Sequence, residues 1–268
     1  MRTTKPSYVG YREADQRTPY ARFFNDQILP LPPLIQALVN EARSAIEPPF
    51  ALADAPLLQQ AGYLPLENGY RFLPDDSCTV AVRTDMPGVT PPMWDWWFGW
   101  HGSQDNRYKL WHPKAHISAV WADGRDDLPG YIGRTSLIQE YIGKSLEKAS
   151  IRFVNPTELG FAPDQLADKN RVVYICARTG FSHLPVDFGW LVHQVRATET
   201  GAEMRSRFWM GGSYIQFRTE GQLGRMASQV AQALVKPTEQ QALALLNHCF
   251  EEMNHLAGFL PTLYNQYQ

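Results

Sequence analysis

The sequence predicts an α+β fold in which a mostly antiparallel sheet grips a long C-terminal helix and an N-terminal, proline-punctuated helical extension lies outside it. Three observations predict this. The apolar period is two in a series of stretches between about 78 and 211, a tight hairpin turn joins the last two of them, and the period becomes helical from about 220 onward. Strands first and helices last form the layer pattern of an α+β domain rather than an alternating α/β one.

Taken in order, residues 1 to about 30 are polar and without a clear period. "LPLPPL" (29–34) reads as a stiff extended connector, because successive prolines lock φ and remove amide donors. "LIQALVNEARSAI" (34–46) has helical apolar spacing and stops before Pro48-Pro49, and "APLLQQAG" (55–62) reads as a short helix. Residues 1–77 are therefore expected to be a cover and 78–268 the main domain. In "PPMWDWWFGWH" (91–101) the two prolines open a helix that carries Trp94, Trp97, Phe98 and His101 on one side, as core or as walls of an aromatic pocket.

Strands are expected at "CTVAVRT" (78–84), "AHISAVWA" (115–122), "SIRFV" (150–154), "RVVYICAR" (171–178), "GWLVHQVRAT" (189–198) and "AEMRSRFWMG" (202–211), with "TETG" turning the last pair. Alternation of this kind implies antiparallel pairing with one covered face. Helices follow at about 220–235, ended by Pro237, and at 238–259, ended by Pro261. A sheet curved around the last helix encloses a cavity fit for a hydrophobic ligand.

Composition limits the function classes. The chain has 268 residues, 44% hydrophobic and 19% charged, with a net charge of −2. That balance is globular and offers no electrostatic pull toward nucleic acid or an anionic membrane. Cys78, Cys176 and Cys249 are odd in number and far apart, so neither a disulfide framework nor a cysteine zinc motif is implied. With no apolar leader or membrane-spanning run, a soluble cytoplasmic protein of a reducing compartment is expected.

Some polar residues point the wrong way for an ordinary fold. On the last helix the apolar stripe runs through Leu246, Cys249, Phe250, Met253, Leu256, Ala257 and Leu260, and Glu251 lies nearly opposite it. His248 and Glu252, one turn apart, stack on a flank that borders the stripe. They read either as an i,i+4 pair at a half-wet boundary or as two metal ligands. In 115–122, strict alternation puts Ala115, Ile117, Ala119 and Trp121 on one face, and His116 with Ser118 on the other. In 189–198, His193 shares the inward series Leu191, His193, Val195; on the next strand Met204, Ser206, Phe208 and Met210 face inward and Glu203, Arg205 and Arg207 outward. His193 reads as a satisfied core histidine or a general base.

The string "WDWWFGWH…RYKLWHPKAH…YIGRTSLIQEYIG" with "EMRSRFWMGG" and "HCFEEMNHLAGFLP" resembles the diacetylphloroglucinol hydrolase family, which includes phloretin hydrolase, over roughly 85–262. The resemblance implies a helix-grip fold like that of the birch-pollen allergen and START proteins. It also implies a zinc-dependent hydrolase that cuts the carbon–carbon bond between an acyl group and a polyphenol ring, on a small aromatic substrate. The family's zinc ligands carry over as His116, Glu140, His248 and Glu252, with His193 as the non-ligand active-site histidine and Tyr108 as a substrate-contacting, phenol-binding donor. His112, beside Pro113, is a rival to His116. On a helix Glu140 would lie on the flank of a Leu137/Ile138/Tyr141 stripe, so periodicity alone gives it only a solvated position. The other reading of the same fold is a non-catalytic carrier of a hydrophobic aromatic ligand, monomeric or as a homo-oligomer.

Overall fold

A computed structural model describes residues 8–28 and 50–268, with the isolated positions 33 and 37 between them. The expected connector at 29–34 and helix at 34–46 therefore lie outside the described residues, those two positions apart.

A single antiparallel sheet organises the chain. Its strands are β1 (Gly69–Phe72), β2 (Ser77–Pro87), β3 (His116–Trp121), β4 (Thr135–Ile142), β5 (Ser145–Val154), β6 (Val172–Phe181), β7 (Val186–Thr198), β8 (Gly201–Gly211) and the short β9 (Gln216–Phe217). Their order is β1-β2-β8-β7-β6-β5-β4-β3, with β9 on the end of β7. The expected β7–β8 hairpin is present, with Thr198 opposite Gly201. A Cβ on Gly201 would stand 2.5 Å from the Met86 carbonyl oxygen, so the close approach of β2 excludes any side chain there.

Within residues 50–268 the α-helices are α1 (Pro91–Trp100), α2 (Asp105–Trp111), α3 (Gly221–Leu234), α4 (Glu239–Ala257) and α5 (Leu260–Tyr267). Thr238 starts α4 through a capping box: its hydroxyl accepts from the Gln241 N–H, and the Gln241 side chain accepts from the Thr238 N–H. From there α4 crosses the inner face against β1, β2 and β4. Leu246, Cys249, Phe250, Met253 and Leu256 are buried against Val80, Val82, Ile175, Ala177 and Met204 of the sheet, and the apolar stripe read from the sequence is the contact face. The chain thus has the helix-grip architecture. None of the helices of the described residues is long and apolar enough to cross a membrane.

Several expectations need correction. Pro261 does not end the helical region; α4 stops at Ala257, and Pro261 sits in the first turn of α5. The short helix expected at 55–62 is instead a 3-10 helix over Leu52–Gln59, and residues 60–62 lie beyond its end. Residues 135–142 form a strand, so Glu140 is placed by period two and not by a helical flank. Neither face of the mid-sheet is open. Under the 50–66 segment and the 156–166 turns lies a second core of Leu58, Phe161, Tyr174, Cys176, Val192 and Trp209. Arg205 and Arg207 face outward as expected yet are 1% exposed, both paired to Glu67.

Helix α1 buries Trp94, Trp97 and Phe98, together with His101 at its C-terminal cap. Trp96 and Trp100 stack on each other at its rim, centroids 5.0 Å apart. Most of the aromatic segment is thus core.

Candidate metal centre

The centre is assembled where β3, β4 and α4 meet. Strict alternation on β3 would turn His116 away from the interior. The β3–β4 ladder instead pairs His116 with Glu140 and Ser118 with Gln139, skipping Ile117. This bulge adds one residue to β3 and brings His116 onto the same face as Ala119 and Trp121. Residues paired across a ladder point the same way, so Glu140 enters the interior beside His116. From the opposite side α4 delivers His248 and Glu252 one turn apart. His116, His248 and Glu252 are 0%, 5% and 7% exposed.

Their ligand atoms converge. His116 Nε2 lies 3.3 Å from His248 Nε2, 3.2 Å from Glu140 Oε2 and 3.4 Å from Glu252 Oε2. His248 Nε2 lies 3.7 Å from both carboxylate oxygens. Nitrogen and oxygen ligands about 2.0–2.1 Å from a tetrahedral zinc stand about 3.3–3.4 Å from one another. The five separations fall around that edge length.

Electrostatics points the same way. The His116 Nδ1–H donates to the Tyr108 carbonyl at 3.0 Å, which leaves Nε2 as a lone-pair acceptor. Burial, then the neighbouring His112, holds the His116 pKa well below its ordinary value, and burial drives His248 to about 3 despite the opposing pull of Glu140. Two neutral imidazole nitrogens facing each other at 3.3 Å have no proton to share, and a cation between them resolves the conflict. Burial, reinforced by Glu140, pushes Glu252 well above the usual carboxylate range. A buried carboxylate held this way is a strong partner for a metal and a poor free anion. The residues present fit zinc.

The surrounding side chains hold these groups in place. The Tyr108 hydroxyl donates to Glu140 Oε2, and its ring lies flat on His116, centroids 3.8 Å apart at 4°. Burial, then the Glu140 charge, raises the Tyr108 phenol well above its ordinary pKa. That hydroxyl's one proton is committed to Glu140, which leaves the Tyr108 oxygen as an acceptor. His112 is turned to other partners: its Nε2 meets Glu251 Oε2 at 3.1 Å, and its ring stacks on His248 at 4.8 Å. Glu251, expected to face water, is half-exposed and makes this contact.

His193 lies apart from the ligand atoms, on the inner face of β7. Its Nδ1 is 2.8 Å from Ser206 Oγ, and Ser206 also hydrogen-bonds Cys249, the neighbour of His248. Phe98 stacks against the His193 ring, and Phe208 meets it edge-on. Burial lowers its pKa to about 3.

Sequence reasoning missed three contacts. The Tyr108–Glu140 link needs the β3 bulge, which leaves no mark in the residue pattern. The His112–Glu251 pair joins elements far apart in the chain. The His193–Ser206 pair was legible, since the hairpin register places the two inward residues opposite each other.

Comparisons with known proteins converge on one family. Residues 50–265 match the family model described as the DAPG hydrolase PhiG domain. A 2,4-diacetylphloroglucinol hydrolase of Pseudomonas protegens is 28% identical over 97% of this chain and 88% of its own. A phloretin hydrolase of Eubacterium ramulus is 26% identical over 96% of this chain and 93% of its own. Among solved structures, protein Ms6760 of Mycobacterium smegmatis aligns over 73% of this chain and 98% of its own at 11% identity, with a TM-score of 0.37.

Proposed function

The chain belongs to the DAPG hydrolase family, and from that premise we propose that it hydrolyses the carbon–carbon bond between an acyl group and a polyhydroxylated aromatic ring, with zinc held by His116, Glu140, His248 and Glu252. The observation that carries the proposal is the facing pair of Nε2 atoms at 3.3 Å, closed in by two carboxylates. The family membership supplies the reaction class; the substrates named for the two relatives are acylated or ketonic polyphenols.

The reaction is a reverse Claisen step. Water adds to the acyl carbonyl carbon, the bond to the ring carbon breaks, and the ring carbon takes a proton, giving a carboxylic acid and the deacylated ring. A polyphenol makes the ring carbon a feasible leaving group, because a phenol tautomerises to a ketone that accepts the electron pair. When bound, zinc supplies Lewis-acid polarisation of a carbonyl oxygen and lowers the pKa of water to about 7.

The chain's own residues do the rest. Glu140, pinned by Tyr108, and His116, pinned by its Nδ1 bond, are pre-oriented ligands, as outer-shell hydrogen bonds require. His193, neutral far below pH 7, takes a proton from the attacking water and returns one to the ring carbon. Ser206 at Nδ1 fixes its orientation and directs Nε2 to the substrate. Phe98 and Phe208 flank that imidazole and give the aromatic ring apolar surfaces to lie on. The Tyr108 oxygen accepts from a ring hydroxyl.

A panel of mono- and diacylated polyphenols, read by mass spectrometry, tests the proposal. The expected result is stoichiometric release of a carboxylic acid and the deacylated ring, lost on chelation and restored by zinc. A chain that binds these compounds and releases nothing is a carrier, and the proposal falls.

A further inference from the structure

Helix α2 backs two of the proposed ligands, Glu140 through the Tyr108 hydroxyl and His116 through the Tyr108 carbonyl. Little of its own sequence holds it there. It has seven residues and no side-chain cap at its N-terminus, and a helix that short does not stand alone, because too few bonds repay its nucleation. Yet Tyr108, Lys109, Leu110 and Trp111 are buried in succession. Four consecutive helical residues point to four sides, so α2 is covered all round. β3 and α4 supply part of the cover. The rest is the N-terminal segment 8–24, which precedes the matched family domain.

That segment grips the first turn of α2 by polar contacts. The Tyr11 hydroxyl donates to the Asn106 carbonyl at 2.6 Å. The Tyr20 hydroxyl meets Gln104 Oε1 and Asn106 Oδ1, the second at 2.8 Å. Asp15 Oδ2 accepts from the Arg12 N–H at 2.8 Å and stands 3.9 Å from the buried Lys109 Nζ. Behind these contacts the two tyrosine rings are anchored in the main core, Tyr11 stacked on Phe24 with centroids 4.0 Å apart and Tyr20 edge-on to Trp100. One helical turn links the grip to the centre, since the Tyr108 N–H donates to the Gln104 carbonyl at 3.2 Å. Ring burial alone would be served by phenylalanine. The hydroxyls are what reach α2, and a buried hydroxyl is costly unless it is bonded.

We propose that residues 8–24 are a brace for the metal centre, with Tyr11 and Tyr20 as positioning residues that act through the Tyr108 hydroxyl on Glu140. The inference rests on the zinc reading above and adds to it a role for a segment that touches none of the four ligands. A ligand set works only when held to about 0.5 Å by the groups behind it. Here that support runs from the core through two tyrosines and one short helix.

The test is zinc affinity of the full chain, measured by competition with a chelator. Tyr11→Phe and Tyr20→Phe keep the rings, and each should lower affinity about fivefold, the equivalent of one ordinary hydrogen bond. In the metal-free chain the same variants should quicken amide hydrogen exchange over 105–111 and leave β6 and β7 unchanged. In a Tyr108→Phe background, where the link to Glu140 is already cut, Tyr20→Phe should lower affinity by about twofold or less, a coupling that a merely structural tyrosine would not show. Wild-type zinc affinity in both single variants overturns the brace, and so does a Tyr20→Phe effect undiminished in the Tyr108→Phe background. A wild-type chain that binds no zinc overturns the zinc reading itself, and the brace with it.

Discussion

His116 and Glu140 face each other across β3 and β4 with 3.2 Å between Nε2 and Oε2, and they share a face because the ladder skips Ile117. One extra residue in one strand thus turns a histidine from the outer face of the sheet into the interior. Each side chain is then fixed from behind by Tyr108, through its carbonyl for His116 and its hydroxyl for Glu140.

Tyr108→Phe keeps the stack on His116 and removes only the bond to Glu140. Zinc affinity, measured by competition with a chelator, should fall about 10- to 100-fold, the usual effect of losing an outer-shell hydrogen bond. Unchanged affinity would show that Glu140 is positioned without the tyrosine.

Glu252 sits well above its ordinary pKa in the metal-free chain, through burial first and Glu140 second. Metal ligation requires the carboxylate, so binding expels a proton, and lowering the pH through this range weakens binding. Titrations at several pH values in two buffers of different ionisation enthalpy should show proton release and affinity that rises with pH. A pH-independent affinity would contradict the burial of this group.

His193→Gln should lower kcat by about 100- to 10,000-fold, the range for a lost general acid–base, and leave the zinc content intact. Burial holds the imidazole near 3, so in the free enzyme it protonates only on the acid side of pH 4. The pH profile of kcat/KM should accordingly carry no limb near pH 6–7 that vanishes in this variant. Loss of zinc in His193→Gln would instead make the residue part of the metal site.

Away from the site, Glu67 bridges the buried Arg205 and Arg207. Burial alone would raise its pKa; the two guanidinium groups outweigh that and bring it to about 2. Its stabilising contribution is present above the ordinary carboxylate pKa and is lost as pH falls through that value toward 2. Glu67→Gln should cost about 3 kcal/mol, the lower end for orphaning a buried charge, read as a lower urea midpoint. The loss should shrink in acid. A midpoint shift that is the same at pH 7 and pH 3 would show that the pairing contributes nothing.

Much of this was legible in the residues, in proportion to how local its cause is. The α4 stripe, the flanking His248/Glu252 pair, the inward His193 and the β7–β8 turn all follow from period and turn chemistry. The four-residue β1 and the two-residue β9 are too short to show a period, and in β4 the adjacent Leu137 and Ile138, with Tyr141, blur the alternation. The direction of His116 came from a ladder irregularity that only the partner strand reveals. The burial of Arg205 and Arg207 came from a segment, 50–66, that folds back over the sheet's outer face. Periodicity reports which residues share a face; it is silent on what covers that face.

The most direct measurement is anomalous diffraction at the zinc edge on crystals of the active protein. One peak is predicted, about 2.0–2.2 Å from His116 Nε2, His248 Nε2 and an oxygen of each of Glu140 and Glu252. An active enzyme with no peak there, or with zinc bound by other residues, would contradict the account.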